Sequence, residues 1–494
     1  MRLASLLGAG AAAADSFYTH FHPQPLKNWQ NDPNGPMYFK GYYHLFFQYN
    51  PTTWDCPFCN IHWYHMVSED LLHWEHLPIA LAPTTTDCGG VYSGSATVVK
   101  NQTTGEEVPI LSYSVACGDA VAYAVPGNLS DPKLVEWVRP DYNPVIKVPK
   151  EVTGGFRDPT SAWQGADKVW RLLTACGDGE GTCQFKSPDL LNWTYAGAFH
   201  QPGTIYPEGQ GIWECPDFYP VPGSDSFVLK ASNETTRTDW WAVGKYTEVN
   251  DSSKADLFEL QSADIQEGAQ QVDFGTFYAS KTFHDPVHDR QILIGWINYH
   301  CNGTDWAGIQ SFPRVVSSDP ANATRLMFEP IAEIAQLRNG TVPVEAVVEA
   351  GAKFMFPVRG DQLDVEVVVQ GPSEVDVAVR VLAPEHPGEE DGLAVRLARS
   401  QDLGQLNGNP FAAPASDPLR VRLLVDHSIV EAFAQGGRAV ASYPHCRASP
   451  KDTYLEVANL GGEEIRINAL VHMLKTANVL PDTEESWELA EALI

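Results

Sequence analysis

Short runs of β-branched and aromatic residues recur along the first 340 residues, separated by Gly, Pro, Asn and Asp roughly every ten residues. This pattern is typical of short strands joined by turns. Convincing helical spacing occurs only over 330–337, where Ile331, Ile334 and Leu337 lie three residues apart. The pattern therefore predicts an all-β protein. The clearest predicted strands are 42–49, 94–99, 169–174, 226–231 and 291–298.

One sequence pattern occurs twice, far apart in the chain. Residues 68–74 (SEDLLHW) recur as residues 187–193 (SPDLLNW), with the Ser, Asp, Leu, Leu and Trp positions shared. A repeated unit in an all-β chain is typical of the blades of a propeller. We expect each copy to form the turn that ends one strand and to place its Trp against the next part of the blade.

The pattern of apolar and polar residues changes after about residue 340. Apolar residues alternate strictly with mostly polar ones over 363–369 and again over 375–381, which is typical of the half-buried strands of a β-sandwich. Gly436 and Gly437 predict a hairpin turn. The predicted organisation is a signal-like segment over 1–15, a propeller over 16–338, a linker over 339–350, a sandwich over 351–476 and an acidic tail over 477–494.

Length and charge limit the classes of function. A chain of 494 residues is too long for one compact core, which agrees with two domains. Its net charge of −29 disfavours nucleic acid and anionic membranes as partners, because both need a basic surface. No stretch approaches the roughly 18 apolar residues of a membrane span.

Two features of the sequence favour a secretory pathway. Segment 1–15 has one basic residue and a short apolar run, so it resembles an abbreviated signal peptide, although an unstructured Ala-rich end would look similar. Asn-X-Ser/Thr sequons are enriched, which predicts N-glycans and a location that is secreted, in the cell wall or in a vacuole-like lumen. The sequons begin at Asn101, Asn128, Asn192, Asn233, Asn250, Asn302, Asn322 and Asn339.

The nine cysteines are an odd number, so at least one has no partner within the chain. Cys56 and Cys59 have the spacing of a redox motif or half of a zinc site. Since no second Cys-x-x-Cys pair exists, a local disulfide or two ordinary thiols are the better interpretations. The sequence Asp426-His427-Ser428 superficially suggests a catalytic triad. Neighbours on a strand point to opposite faces, so we interpret these three residues as structural.

Three segments combine an acid with aromatic neighbours and a Pro at a predicted strand-to-turn junction. They are 29–36 (WQNDPNGP), 156–159 (FRDP) and 213–218 (WECPDF). Alone, the first is typical of a turn and the second of a surface ion pair. An apolar setting, however, raises the pKa of a carboxyl, and two carboxyls about 5 to 5.5 Å apart cleave a glycoside with retention. The segments are therefore candidates for an active site on the propeller axis.

In this order, the three segments resemble the plant-type acid invertases, β-fructofuranosidases of glycoside hydrolase family 32. The resemblance covers residues 17 to about 475. It implies a five-bladed β-propeller followed by a C-terminal β-sandwich, and a reaction that needs no metal or cofactor. Further matching motifs are 46–51 (FFQYNP), 93–97 (SGSAT), 273–279 (DFGTFYA), 306–310 (WAGIQ) and 425–437.

The resemblance also implies roles for individual residues. Asp32 would attack the anomeric carbon of a fructosyl ring to form a covalent fructosyl-enzyme, and Glu214 would protonate the departing oxygen and then activate water. Asp158 would bind ring hydroxyls and stabilise the transition state. The substrate would be a small sugar, sucrose or a fructan. The implied substrate-binding residues are Asn31, Gln48, Trp54, Ser95, Arg157, Glu234, Arg237 and Trp306.

The chain departs from the family pattern at Gln30, at Tyr92, in extra residues between Trp54 and Trp63, and at Glu234. Glu234 and Arg237 stand where invertases carry an Asp followed by a basic residue, so the choice between sucrose and fructan stays open. A fructan exohydrolase and a fructosyltransferase are alternatives, and a non-catalytic sugar-binding relative is disfavoured because all three acids are present. Cys446 is the only Cys of the predicted sandwich, so a disulfide within that domain is not expected.

Overall fold

The computed structural model describes residues 17–101, 103–177, 181–200, 211–261, 270–386, 388 and 391–478. The predicted signal-like segment 1–15 and nearly all of the predicted acidic tail lie outside the described residues. Within these residues the chain forms seven β-sheets, five in the first part and two in the second. The all-β prediction is confirmed.

The first five sheets are antiparallel units with the strand order of propeller blades. Blade 1 consists of β1 (Asn28–Phe39), β2 (Tyr42–Asn50), β3 (His62–Ser68) and β4 (Trp74–Leu81). Blade 2 consists of β5 (Val91–Lys100), β6 (Glu107–Val115), β7 (Ala120–Pro126), β8 (Trp137–Val138) and β9 (Ile146–Lys147). Blade 3 consists of β10 (Phe156–Arg157), β11 (Trp163–Gln164), β12 (Trp170–Cys176), β13 (Thr182–Ser187) and β14 (Thr194–His200).

Blades 4 and 5 complete the ring. Blade 4 consists of β15 (Trp213–Pro220), β16 (Phe227–Asn233), β17 (Thr238–Thr247) and β18 (Leu257–Leu260). Blade 5 consists of β19 (Tyr278–Asp285), β20 (Arg290–Ile297), β22 (Ile309–Gln310), β23 (Arg314–Asp319) and β24 (Asn322–Pro330). The short strand β21 (Trp306–Ala307) leaves blade 5 and pairs in parallel with β1 of blade 1. This pairing joins the last blade to the first.

The repeated seven-residue pattern forms the same turn in blades 1 and 3. In each copy the carboxylate, of Asp70 or of Asp189, accepts hydrogen bonds from the backbone N–H groups two and three residues later. The residue that follows each Asp, Leu71 or Leu190, has a left-handed φ of 64° or 67°. Both turns connect the third and fourth main strands of a blade, so the repeat marks a blade unit as predicted.

The last two sheets pack face to face as a β-sandwich, with the alternating Val and Leu side chains of both sheets buried between them. In spatial order the first sheet contains β25 (Arg338–Val348), β36 (Ile465–Leu474), β27 (Gln362–Gln370), β32 (Leu419–Asp426), β33 (Ile429–Ala434) and β34 (Ala439–Pro444). The second contains β26 (Lys353–Arg359), β35 (Tyr454–Asn459), β28 (Glu374–Ala383), β29 (Leu393–Ser400), β30 (Leu403–Leu406) and β31 (Asn409–Ala412).

The predicted linker over 339–350 is wrong, because most of it belongs to β25, which pairs along its length with β36. Val344 and Val348 face the sandwich core, while most of the strand is exposed. β25 is an edge strand, where Pro343 is tolerated because one side of the strand needs no partner. An exposed edge strand that contains Gly and Pro has the composition of a linker, which explains the error.

The predicted helical spacing corresponds to a short 3₁₀ helix, Ala332–Leu337, which buries Ile334 and Leu337. A second 3₁₀ helix covers Thr85–Asp87. In the part of the chain that the structure describes, no helix has the length and apolar character to cross a membrane.

Four disulfides lie in the described residues, and Cys215 is a buried free thiol. Cys56 and Cys59 form the predicted local disulfide. Cys446 of the sandwich pairs with Cys301 of the propeller, so it connects the two domains. The remaining disulfides are Cys88–Cys117 and Cys176–Cys183.

A buried network of charged side chains also connects the two domains. His22, which precedes blade 1, contacts Asp426 at 2.8 Å and Glu431 at 3.5 Å. Arg314 of blade 5 contacts Glu431 at 3.2 Å and Asp273 at 2.9 Å. Burial alone would lower the pKa of His22, but hydrogen bonds with Asp426 and Glu431 raise it to about 9. His22 therefore stays protonated at acidic and neutral pH.

The triad-like sequence Asp426-His427-Ser428 belongs to this interface and is structural, as expected. Asp426 accepts hydrogen bonds from the backbone N–H groups of residues 20–22. The Ser428 hydroxyl donates to the carbonyl of Phe17 rather than to His427. His427 Nδ1 lies 3.2 Å from Asp426 Oδ1, but the turn between β32 and β33 directs Ser428 to Phe17, so the three side chains form no relay.

We expect His22→Ala to lower the free energy of unfolding by about 3 to 5 kcal/mol, because it removes a buried cation from Asp426 and Glu431, of which, among the described residues, only Glu431 keeps a contact with an arginine, Arg314. The folded pKa of about 9 lies above the unfolded value. The contribution of His22 is therefore complete below about pH 6.5 and is lost as the pH rises through about 9. Urea unfolding of both proteins between pH 5 and pH 10 measures this difference. His284→Ala, at an exposed histidine, is the control, and a difference that does not shrink at high pH would contradict the prediction.

Candidate active site

The three predicted acids lie on, or directly after, the first strands of three blades. Asp32 lies within β1, Glu214 lies within β15, and Asp158 directly follows β10. The pairing of β1 shifts register between Gln30 and Pro33, and that of β15 shifts between Glu214 and Asp217. A Pro follows each acid within two residues and donates no hydrogen bond to the ladder, so pairing is interrupted where the acids lie.

Asp32 is held by a chain of polar side chains from blades 1 and 2. The Ser93 hydroxyl donates to Asp32 Oδ2 at 2.5 Å, and Asn31 Nδ2 donates to Oδ1 at 3.3 Å. Gln48 connects them, since it accepts from Asn31 and donates from Nε2 to Ser93. Burial raises the pKa of Asp32, while the hydrogen bond from Ser93 opposes this shift. The predicted residue Ser95 is also buried, but its hydroxyl has no hydrogen-bond partner among the described residues.

The thiol of Cys215 lies between the carboxylates of Asp158 and Asp32. Cys215 Sγ is 3.7 Å from Asp158 Oδ2 and 3.6 Å from Asp32 Oδ2. The backbone N–H of Cys215 donates to Asp158 Oδ2 at 3.0 Å, and the backbone N–H of Asp158 donates to Ser114 Oγ at 2.7 Å. Asp158 and Cys215 both have left-handed φ values, 62° and 46°. Cys215, the residue after Glu214, therefore contacts the acids of blades 1 and 3 and places them next to the acid of blade 4.

Glu214 is surrounded by donors from three other strands or turns. Arg157 donates to Oε1 of Glu214 from Nε at 2.9 Å and from Nη2 at 2.7 Å. The Tyr278 hydroxyl donates to Oε2, and Arg237 Nη1 lies 3.8 Å from the same oxygen. Arg237 also stacks on Tyr278, with 5.0 Å between the guanidinium carbon and the ring centroid. Both carboxylate oxygens are therefore fixed in position.

The electrostatic setting of Glu214 raises its pKa to about 7. Burial is the largest cause, and the nearby charges of Asp158 and Asp32 raise the pKa further, while Arg157 and the hydrogen bond from Tyr278 lower it. A carboxyl with a pKa of about 7 is largely protonated at mildly acidic pH. Glu214 can therefore donate a proton under conditions where an ordinary glutamate could not.

The sandwich contributes to this site indirectly through the segment that precedes Tyr278. Asp273 accepts hydrogen bonds from the backbone N–H of Ser442 at 2.9 Å and from its hydroxyl at 2.7 Å. Gly275 packs so closely on β34 that a Cβ there would lie 2.1 Å from the Ser442 carbonyl oxygen. These contacts fix the chain just before the tyrosine that hydrogen-bonds Glu214.

Glu234 and Arg237, the predicted substrate pair, both join the Glu214 cluster. Glu234 Oε1 accepts from Arg157 Nη2 at 3.2 Å, and Oε2 accepts from the backbone N–H of Ile212 at 3.3 Å. Glu234 thus pairs with the same guanidinium that binds Glu214. Arg237 is half exposed and lies at the mouth of the site.

A pocket of about 440 Å³ opens beside this cluster, and its walls include Trp29, Phe58, Arg237, Tyr278, Trp296 and Asn298. Trp54 lies in the same loop as Phe58, is exposed, and stacks on His300 with ring centroids 3.9 Å apart. The aromatic walls and polar groups suit the apolar and hydroxylated faces of a sugar.

Trp306 is not among the residues that line this pocket. Its side chain is 2% exposed and packs edge-on against Tyr18 and Tyr299. The cause is the parallel pairing of β21 with β1, which turns Trp306 into the apolar core between the N-terminal segment and blade 5. Trp306 therefore packs where the ring closes, and its role in substrate binding stays a prediction.

The sequence interpretation missed Ser93 and Tyr278 as site residues. Both lie inside segments whose motifs resemble the family pattern, 93–97 and 273–279. The motif matches were the available signal, but they did not indicate which side chain of each motif faces the acids.

Comparison with known proteins identifies the family of the chain. Residues 20–330 match the model of the glycosyl hydrolases family 32 N-terminal domain, and residues 336–470 match the model of the family 32 C-terminal domain. The chain belongs to glycoside hydrolase family 32. It is therefore a glycoside hydrolase with the propeller and sandwich of that family, as the sequence analysis predicted.

Two sequence relatives and one solved structure illustrate what the chain is similar to. The chain is 35% identical to "Beta-fructofuranosidase, insoluble isoenzyme 2" of Oryza sativa subsp. indica, over 94% of this chain and 92% of that protein. It is 35% identical to "Acid beta-fructofuranosidase" of Solanum lycopersicum, over 93% and 82%. Among solved structures it resembles fructan 1-exohydrolase IIa from Cichorium intybus, with a TM-score of 0.79, 28% identity, and coverage of 94% and 98%.

Proposed function

We propose that this family 32 enzyme is a retaining β-fructofuranosidase that hydrolyses terminal β-D-fructofuranosides, with sucrose as its main substrate. The observation that carries the proposal is the convergence of three buried or nearly buried acids, of which Glu214 has a pKa raised to about 7. The names of the plant relatives agree with this substrate class.

In the proposed mechanism Asp32 attacks the anomeric carbon of the fructosyl ring. Glu214 gives its proton to the departing oxygen, so the leaving sugar departs neutral and a fructosyl ester of Asp32 remains. Glu214, now ionised, takes a proton from water, which attacks the same carbon and releases Asp32. Two displacements at one carbon give overall retention.

The surrounding residues support these steps in different ways. Ser93 and Asn31 orient the carboxylate of Asp32 for attack. Asp158 is positioned to accept hydrogen bonds from ring hydroxyls, an interaction that strengthens as positive charge develops on the ring. Arg157 fixes Glu214 and limits the rise in its pKa. Gln48 holds this polar chain in place.

The pH dependence of kcat/KM tests the role of Glu214. Because the protonated acid is required in the first step, kcat/KM is expected to fall as the pH rises through about 7. Tyr278→Phe removes a hydrogen bond that lowers the pKa of Glu214, so the descending limb should move to higher pH. Profiles of both proteins between pH 4 and pH 9 measure the shift. A descending limb that moves to lower pH, or does not move, would contradict the role of Tyr278.

A fructan exohydrolase is the second candidate, and one contact favours it. Glu234 is held by Arg157 and by the backbone of Ile212, so less of its carboxylate is available to a glucosyl unit. The similarity to the Cichorium intybus fructan 1-exohydrolase agrees with this alternative. A fructosyltransferase on the same scaffold differs in its acceptor, a sugar instead of water.

A product assay separates these functions. The protein is incubated at about pH 5 with sucrose, 1-kestose, inulin or levan, and glucose and fructose are measured separately. Equal glucose and fructose from sucrose supports the β-fructofuranosidase. Fructose from fructans with sucrose intact supports the exohydrolase, and glucose in excess of fructose supports transfer. Lack of product from all four substrates overturns the proposed function.

We also propose that the enzyme is N-glycosylated and acts as a secreted, cell-wall or vacuole-like lumenal protein. Seven of the eight sequon asparagines are exposed, and four disulfides suit an oxidising compartment. Asn233 is the exception: it is buried and its Oδ1 accepts from the backbone N–H groups of Thr235 and Thr236. Intact mass before and after enzymatic deglycosylation, with peptide mapping, is expected to show glycans at exposed sequons and none at Asn233.

A further inference from the structure

The loop between β2 and β3 holds an aromatic ring at the mouth of the pocket. The Cys56–Cys59 disulfide closes a turn within this loop, in which the N–H of Cys59 donates to the carbonyl of Cys56 at 3.4 Å. The same carbonyl accepts a hydrogen bond from Asn50 Nδ2 at 3.1 Å, which ties the turn to the end of β2. Phe58 lies inside this turn with a left-handed φ of 65°. The position of its ring is thus fixed by covalent and polar contacts.

The Phe58 ring contributes little to any core, because 49% of its surface is exposed. It meets Trp29 edge to face, with 6.4 Å between centroids and an angle of 62°. The Trp29 indole N–H in turn donates to Asn31 Oδ1 at 3.0 Å, beside Asp32. The exposed face of Phe58 forms part of the pocket wall.

The position of Glu214 identifies which part of a substrate would meet Phe58. A general acid gives its proton to the leaving oxygen, so the departing group lies beside Glu214. Tyr278 and Arg237, which contact Glu214, line the same pocket as Phe58. Phe58 therefore lies on the leaving-group side of the bond to be cleaved.

We propose that Phe58, held by the Cys56–Cys59 disulfide, is a stacking platform for the hexose unit that leaves, the glucosyl unit of sucrose or the next fructosyl unit of a fructan. The C–H face of a sugar ring packs on an aromatic face, and the pocket supplies hydroxyl partners around it. This inference rests on the proposed function, because it uses Glu214 as the acid.

The test compares substrates with and without a leaving sugar. Phe58→Ala is expected to raise KM about five- to tenfold for sucrose and 1-kestose, which corresponds to the loss of one aromatic stacking contact. Methyl β-D-fructofuranoside has no leaving sugar, so its kcat/KM should change less than about twofold on the same reasoning. Phe58→Tyr keeps the ring face and should restore the parent KM. Tyr142→Ala, at an exposed aromatic outside the pocket, is the matched control.

The disulfide is tested with the double variant Cys56→Ala/Cys59→Ala, which should raise KM for sucrose in the same direction as Phe58→Ala and leave the methyl fructoside unaffected. Equal changes for all three substrates, or none, would overturn the role of Phe58 while the hydrolysis of sucrose by the parent protein still stood. Lack of hydrolysis by the parent protein would overturn the proposed function, and this inference with it. Unchanged thermal unfolding of Phe58→Ala excludes a folding defect as the cause.

Discussion

Asp32→Asn is expected to reduce kcat/KM for sucrose by about 10⁴-fold or more while leaving the fold intact. An amide cannot form the fructosyl ester on which the proposed mechanism depends. The change is nearly isosteric, and the amide oxygen can still accept the hydrogen bond from Ser93. The loss should therefore appear in kcat as well as in kcat/KM, because it affects the reacting atom and not only binding.

Three measurements test the role of Asp32 as the nucleophile. Steady-state kinetics give the loss, and urea unfolding compares the stability of the variant with the parent. Rapid acid quenching followed by peptide mass spectrometry should find a fructosyl adduct on the peptide that contains Asp32, and no adduct in the variant. Asp289→Asn, at a fully accessible carboxylate, should behave like the parent protein. Activity of Asp32→Asn within tenfold of the parent would remove Asp32 from the role of nucleophile.

The acids could be found from sequence because their local chemistry is unusual. Each is followed by a Pro that breaks the strand ladder, and each has aromatic or cationic neighbours, so a turn alone did not account for the composition. The repeat around Asp70 and Asp189 could be recognised as a blade unit because its carboxylate forms a turn within a few residues. These signals arise from contacts within a few residues, so they can be recognised in the sequence of one segment.

The sequence interpretation was incomplete where distant contacts decide the orientation of a side chain. Ser93 and Ser95 are two residues apart on β5, but the register shift between Tyr92 and Gly94 and the packing of blade 1 on blade 2 determine that Ser93 binds Asp32. Trp306 turns inward because β21 pairs with a strand some 280 residues earlier in the chain. Cys446 finds its partner in the other domain. None of these pairings has a signature within its own segment.

Glu214→Ala is expected to lower kcat for sucrose by about 10³- to 10⁵-fold, because the departing sugar alkoxide is a poor leaving group without a proton. The loss should depend on the leaving group. With 4-nitrophenyl β-D-fructofuranoside the first step needs little acid assistance, so the fructosyl ester of Asp32 should form and accumulate, and its slow hydrolysis should then limit turnover. A burst of nitrophenol at the start of the reaction measures this accumulation.

Azide then distinguishes Glu214 from Asp32. In Glu214→Ala the space left by the carboxylate admits a small anion, which needs no general base to attack the fructosyl ester. The C–N bond forms as the C–O bond to Asp32 breaks, so fructosyl azide with the configuration of the substrate should appear and steady-state turnover of the nitrophenyl substrate should rise. Glu69→Ala, at an exposed glutamate, should show neither the burst nor the response to azide. Fructosyl azide of inverted configuration from Glu214→Ala would instead reverse the two roles, because an anion that replaces a missing nucleophile displaces the leaving group in a single step and inverts the carbon.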